Sequence, residues 1–185
     1  MNNKFIITGL PRSRTAWMSA YMCSNNVMCL HEPCNDFPSL EEMKLMVDRL
    51  PYEYAGISDS SIGIHPFFYI KNFKDCPVVF IKRDKEEVLN SFLKISGLRI
   101  DKAEKIINMI EHGIYEIKNA FNVFEVDYND LDKEETMRRI FDYCTPTIPF
   151  DKYKLKLFKN IYVSQHAAKV LSGMEIQDNI LNFLN

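Results

Sequence analysis

Residues 9–17 read Gly-Leu-Pro-Arg-Ser-Arg-Thr-Ala-Trp and combine two guanidinium groups with two hydroxyls in one short segment. An apolar run at 5–7 precedes this 9–17 loop and a helix-forming stretch follows it, so the pattern predicts a strand-to-helix turn. The first turn of a helix offers unpaired backbone N–H groups and the positive end of the helix dipole. The 9–17 loop is therefore predicted to bind an oxyanion such as phosphate or sulfate.

The 9–17 loop differs from the Walker A loop of nucleoside triphosphate-binding proteins. That loop needs a second glycine followed by lysine and a hydroxyl residue. Here Gly9 is followed by Arg14-Thr15 one residue early. Magnesium-dependent phosphoryl transfer is therefore not the expected chemistry, and no metal is expected at the site.

The 9–17 loop resembles the 5′-phosphosulfate-binding loop of the sulfotransferases, Pro-[Lys/Arg]-Ser-Gly-Thr-Thr-[Trp/Leu]. The positions that match are Pro11, Arg12, Ser13, Thr15 and Trp17. Arg14 replaces the family glycine, and Ala16 replaces the second threonine and removes one hydroxyl. The resemblance implies that residues 11–17 bind 3′-phosphoadenosine 5′-phosphosulfate (PAPS), with Arg12 stabilising charge on the leaving oxygen.

Two further segments resemble the same family in the same order. Residues 77–91 predict a buried strand that runs into a helix. The family places an arginine at this strand end and a serine eight residues later to hold the 3′-phosphate, and Arg83 and Ser91 keep that separation. The segment 124–131 is similar to a family strand that ends in Tyr-Glu-Asp-Leu. The resemblance covers roughly residues 4–150.

Four candidate site residues also have ordinary structural interpretations. Glu32, just after the second predicted strand, is the first candidate for the base that takes the acceptor proton, and His31 is the second. Glu32 could instead pair with Arg12 or Arg14 to hold the loop, with His31 packed beneath it. Arg14 could be a surface residue, and Arg83 could pair with Asp84 or the region around 127.

Apolar runs and helix-start signals alternate along the chain. They predict strands over 4–8, 27–30, 54–57, 78–82 and 122–126, with helices between them. This order predicts a three-layer α/β/α fold with a central, mainly parallel sheet, and the resemblance adds that it is P-loop NTPase-like. At the carboxyl edge of such a sheet the 9–17 loop, residues 31–32 and Arg83 are expected to converge.

Three local patterns carry more specific predictions. Asp101 with Glu104, and Asp132 with Glu135, have the spacing of capping boxes that begin helices. In 152–159, lysines alternate with apolar residues, which predicts a half-exposed extended segment.

Bulk composition fits one enzyme-sized domain over 1–185. With 185 residues, 46% of them hydrophobic, the chain can bury a sizeable core. The formal net charge of −2 gives no general attraction to nucleic acid or to an anionic membrane. Five cysteines form an odd set without metal-ligand spacing, and no apolar stretch is long enough to span a bilayer. We therefore expect a cytoplasmic protein with free thiols.

The sequence predicts a sulfotransferase-like enzyme that moves a sulfuryl group from PAPS to a hydroxyl or amine of an unknown acceptor. The product would be adenosine 3′,5′-bisphosphate. Two alternatives stay open: a P-loop nucleoside or nucleotide kinase with a degenerate loop, and a non-catalytic nucleotide-binding protein. The chain is short for the family, so acceptor-binding parts are either trimmed or supplied by a partner chain, which leaves a homo-oligomer open.

Overall fold

The computed structural model describes residues 2–164 and 166–168 and contains a five-stranded sheet. Its strands are β1 (Asn3–Gly9), β2 (Val27–His31), β3 (Tyr54–Ser58), β4 (Val78–Lys82) and β5 (Val123–Asp127). The strand order is β2-β3-β1-β4-β5, and every neighbouring pair is parallel. The predicted α/β fold with a parallel sheet is confirmed. The single domain predicted over 1–185 extends beyond the described residues and stays a prediction.

Helices connect the strands and cover both faces of the sheet. They are α1 (Thr15–Met22), α2 (Leu40–Arg49), α3 (Pro66–Asn72), α4 (Lys85–Ser96), α5 (Ile100–Ala120), α6 (Glu134–Cys144) and α7 (Lys152–Phe158). Side chains of β1 alternate between two apolar clusters. Phe5 and Ile7 pack with residues of α1 and α6, whereas Ile6 packs with residues of α2 and α5. Residues 5–7 of β1 form a continuous apolar run, as is typical of a strand that is buried on both faces.

The carboxyl end of β1 is tightly packed where the chain turns into the 9–17 loop. A Cβ atom at Gly9 would lie 2.7 Å from the carbonyl oxygen of Ile81 and 3.0 Å from the Cβ of Ser13. Both distances are shorter than normal packing allows, so only glycine fits between β4 and the loop. This close approach holds the loop against the end of β4.

Residues 152–158 of the segment 152–159 form helix α7 and Lys159 is its C-cap, so the predicted extended conformation is wrong. Asp151 caps the helix by accepting hydrogen bonds from the backbone N–H groups of Tyr153 and Lys154. Leu155 and Phe158, three residues apart, face the cluster that contains Trp17, and Leu155 is 2% exposed. Leu155 and Phe158 reach the same cluster because a helix places residues three apart on one face, so their packing favours a helix over the extended form suggested by the alternating lysines.

Two predicted helix starts are also wrong, by one or two residues. Helix α5 begins at Ile100 with Arg99 as its N-cap, so Asp101 lies inside the first turn. Helix α6 begins after Lys133, and Asp132 contacts the 9–17 loop instead of capping the helix. Asp101 instead pairs with Arg99, the N-cap residue two positions earlier, whereas Asp132 pairs with Arg14, a tertiary partner that the local pattern does not contain.

Candidate functional site

A cavity of about 570 Å³ opens at the carboxyl edge of the sheet. Ten of the predicted site residues line it: Pro11, Arg12, Arg14, Thr15, Ala16, Trp17, His31, Glu32, Arg83 and Ser91. Ser13, the remaining predicted site residue of the 9–17 loop, is fully buried. The two segments that the sequence predicts to bind opposite ends of one nucleotide therefore face the same cavity.

The 9–17 loop has a backbone conformation that glycine adopts most easily. Arg12 and Arg14 have φ angles of 70° and 61°, in the left-handed region. Between them, the N–H of Ser13 donates to the carbonyl oxygen of Leu10 at 3.2 Å. The buried Ser13 Oγ has no hydrogen-bond partner among the described residues. Helix α1 starts directly after Arg14, so its first N–H groups, which lack intrahelical acceptors, border the loop.

Arg12 has a neutral partner within the cavity. Its Nε donates to Ser91 Oγ at 3.3 Å, which joins the loop to α4. Within the described part of the chain, no carboxylate lies within 4 Å of the Arg12 guanidinium. An uncompensated guanidinium in a cleft favours an anionic ligand.

Arg83 ties the end of β4 to the 9–17 loop. Its Nη1 donates to the backbone carbonyl oxygen of Arg12. Its Nε donates to Glu87 Oε2 at 3.4 Å, and its guanidinium lies 4.2 Å from the ring centre of Tyr128. The carboxylate partner of Arg83 is thus Glu87, one turn along α4, and the predicted alternative pairing with Asp84 is wrong.

Arg14 extends towards the segment between β5 and α6. Its Nη1 lies 3.0 Å from Asp132 Oδ1. Its guanidinium lies 5.0 Å from the ring centre of Tyr128 and 5.9 Å from that of Trp17. Tyr128 therefore contacts the guanidinium groups of both Arg14 and Arg83. Trp17 is a buried core residue whose side chain also lines the cavity. Its Nε1 donates to the carbonyl oxygen of Phe158 at 3.0 Å.

Glu32 and His31 lie on the β2 and β3 side of the same cavity. Glu32 Oε1 accepts from Ser60 Oγ at 3.2 Å, and Oε2 accepts from Asn35 Nδ2 at 3.4 Å. His31 Nδ1 lies 3.1 Å from the carbonyl oxygen of Ser58. Because a carbonyl only accepts, this nitrogen carries the proton, which leaves Nε2 at 3.9 Å from Glu32 Oε2. Ser60 and Asn35 thus orient the Glu32 carboxylate at the β2 and β3 side of the cavity.

Asp59 is a buried acid in segment 59–61, which the sequence predicts first as a loop at a strand end. It follows β3 directly, is 0% exposed, and accepts hydrogen bonds from the N–H and hydroxyl of Ser61, both at 2.6 Å. Burial raises the pKa of Asp59 to about 6, and the charge of nearby Glu32 acts in the same direction. An acidic residue directly after a buried strand was the available signal, since such positions lie at the carboxyl edge.

The raised pKa of Asp59 predicts how stability depends on pH. The folded protein holds this proton between the ordinary pKa of 3.8 and about 6, so stability falls as pH rises through that window. Between pH 5 and pH 7 the loss is about 1 kcal/mol. The side chain at position 59 of the Asp59→Asn variant cannot titrate, so this variant should not lose that stability. From pH 5 to pH 7, its free energy of unfolding should therefore rise by about 1 kcal/mol relative to that of the wild type. Urea denaturation at both pH values measures the difference, and parallel pH dependence of the two proteins would contradict it.

The described residues contain no helix long and apolar enough to cross a membrane. Within the same part of the chain, no group of three or more His, Cys, Asp or Glu side chains is arranged to hold a metal ion. All five cysteines are free thiols.

Comparisons with known proteins reveal similarity at the level of the fold. No protein-family model matches the sequence, and no curated protein sequence matches it. A sulfotransferase domain from the curacin biosynthetic pathway superposes with a TM-score of 0.58 at 13% identity, over 91% of this chain and 83% of that one. The mouse sulfotransferase SULT7A1, solved in complex with PAP, gives a TM-score of 0.59 at 12% identity. That match covers 84% of this chain and 62% of the mouse enzyme. The chain therefore shares with these sulfotransferases an α/β fold whose central parallel sheet is flanked by helices.

Proposed function

We propose that this protein transfers a sulfuryl group from PAPS to a hydroxyl or amine of an acceptor molecule. The observation that carries the proposal is the cavity shared by the 9–17 loop with Arg83 and Ser91. One nucleotide with phosphates at both its 3′ and 5′ positions can contact both segments there. The fold supports the proposal, as does the PAP bound to the mouse neighbour, because transfer from PAPS leaves the same adenosine 3′,5′-bisphosphate.

The charges around the cavity favour a doubly phosphorylated ligand. Backbone N–H groups of 13–15 and the Thr15 hydroxyl would hold the 5′-phosphate at the start of α1. The buried Ser13 Oγ, without a partner among the described residues, is a further polar group beneath the same turn. Arg83 and Ser91 would hold the 3′-phosphate, since both line the cavity where β4 meets α4.

Two groups in the cavity suit the charge changes of sulfuryl transfer. PAPS, when bound, would supply the sulfuryl group, and adenosine 3′,5′-bisphosphate would leave through an oxygen of its 5′-phosphate. Arg12, whose contact with Ser91 is a neutral one, would stabilise the negative charge that develops on the leaving oxygen. Glu32, held by Ser60 and Asn35, would accept the proton of the acceptor, with His31 as the second candidate.

Ligand-dependent unfolding separates this proposal from its alternatives. A ligand that binds only the folded form raises the unfolding temperature, by about 5 °C or more for a domain of this size at a hundredfold excess over Kd. We expect such a rise with adenosine 3′,5′-bisphosphate, a smaller one with adenosine 5′-phosphate, and the smallest with ATP and magnesium. The largest rise with magnesium ATP would instead indicate a kinase. Tight bisphosphate binding without transfer from radiolabelled PAPS to any phenol, sugar or amine of a panel would indicate a non-catalytic protein.

Substitution of Arg12 should separate catalysis from binding. Arg12→Ala removes a donor that acts mainly as charge builds in the transition state, so transfer to the best acceptor should slow by about a hundredfold or more. The Kd of adenosine 3′,5′-bisphosphate should rise by less than about tenfold, because backbone groups, Arg83 and Ser91 remain. Arg49→Ala, an exposed arginine at the end of α2, is the matched control and should change neither quantity. Equal losses of rate and affinity in Arg12→Ala would contradict the assigned role.

A further inference from the structure

Arg14 occupies a backbone conformation that favours glycine. Its φ of 61° places a Cβ atom and a long side chain where glycine would fit without strain. Strained residues of this kind persist where the surroundings hold them, and they concentrate at binding sites. What the side chain of Arg14 contacts therefore bears on what the 9–17 loop binds.

The guanidinium of Arg14 has a carboxylate partner at the wall of the cavity. Asp132 Oδ1 lies 3.0 Å from Arg14 Nη1, and both residues line the cavity. The side chains are 32% and 49% exposed, so water screens the pair and weakens it. A phosphate group that enters the cavity offers the same guanidinium several acceptor oxygens, and thus a bidentate pair of charge-assisted hydrogen bonds in place of the single contact with Asp132 Oδ1.

We propose that Arg14 is a ligand for the 5′-phosphate end of the nucleotide and exchanges Asp132 for it on binding. Asp132 is then a competitor built into the site, which lowers the affinity for nucleotide. This inference rests on the proposed function, because it takes the nucleotide as the ligand. Tyr128 keeps the guanidinium near the cavity during the exchange, since its ring already contacts Arg14 at 5.0 Å.

The competing explanation is that the ion pair simply holds the 9–17 loop to the segment before α6. The two explanations differ in the sign of one substitution. Asp132→Asn keeps the size and an acceptor oxygen of the side chain but removes its charge. If Asp132 competes with the ligand, this variant binds nucleotide more tightly. If the pair only holds the loop, the variant binds more weakly.

Isothermal titration with adenosine 5′-phosphate and adenosine 3′,5′-bisphosphate tests the exchange. Asp132→Asn should lower Kd by about threefold or more for both nucleotides. Arg14→Gly, which suits the left-handed backbone, should raise Kd by about fivefold or more. In the Arg14→Gly background, adding Asp132→Asn should leave Kd unchanged, because residue 132 then has no guanidinium to compete for. Asp130→Asn is the matched control. It makes the same change in net charge two residues away, where Asp130 pairs with Lys133, and should leave Kd within twofold.

Weaker binding by Asp132→Asn would overturn the proposal in favour of a holding role. A gain that persists undiminished in the Arg14→Gly background would also overturn it, because Asp132 would then act by direct repulsion of the ligand. Failure of the wild-type protein to bind either nucleotide would instead overturn the proposed function itself. Unfolding temperatures of all variants, measured without ligand, verify that each one is folded.

Discussion

The hydrogen bond from Arg83 to the carbonyl oxygen of Arg12 is the contact on which the candidate site depends. It joins the end of β4 to the 9–17 loop, two segments far apart in the sequence. Because Arg83 donates to the backbone, it also helps hold the left-handed turn at Arg12. The contact between Arg12 and Ser91 adds a second connection between the loop and α4. The two groups of residues proposed to bind the phosphates are thus fixed in one cavity, at a separation that the fold sets.

The sheet order explains why these groups meet. β1 lies at the centre, with β4 on one side and β3 on the other, and all strands run in the same direction. Residues that follow these strands must therefore emerge at one edge of the sheet. Cationic groups follow β1 and β4, whereas Glu32 and Asp59 follow β2 and β3. The cavity consequently has Arg12, Arg14 and Arg83 on one side and Glu32 on the side of β2 and β3, whereas Asp59 is buried behind its wall.

The strands and most helices were predictable because their apolar residues have strong local periods. Ser39 and Asp84 cap α2 and α4 in the structure by accepting from the N–H groups of Glu42 and Glu87, a spacing that can be read directly from a sequence. Convergence of Arg12 and Arg83 followed from the parallel topology. Partnerships across the fold were not predictable. Asp132 has the spacing of a cap, yet in the structure it pairs with Arg14, and Lys133 takes the N-cap position of α6. The helical form of 152–159 likewise depends on packing against α1.

We propose that one nucleotide with phosphates at both ends spans the cavity from the 9–17 loop to Arg83. A crystal structure of the protein with adenosine 3′,5′-bisphosphate would decide whether it does. We expect the 5′-phosphate to contact the backbone N–H groups of 13–15 and the 3′-phosphate to contact Arg83 and Ser91. A nucleotide that lies outside this cavity, or that reaches one of the two segments while its other phosphate points to solvent, would contradict the claim.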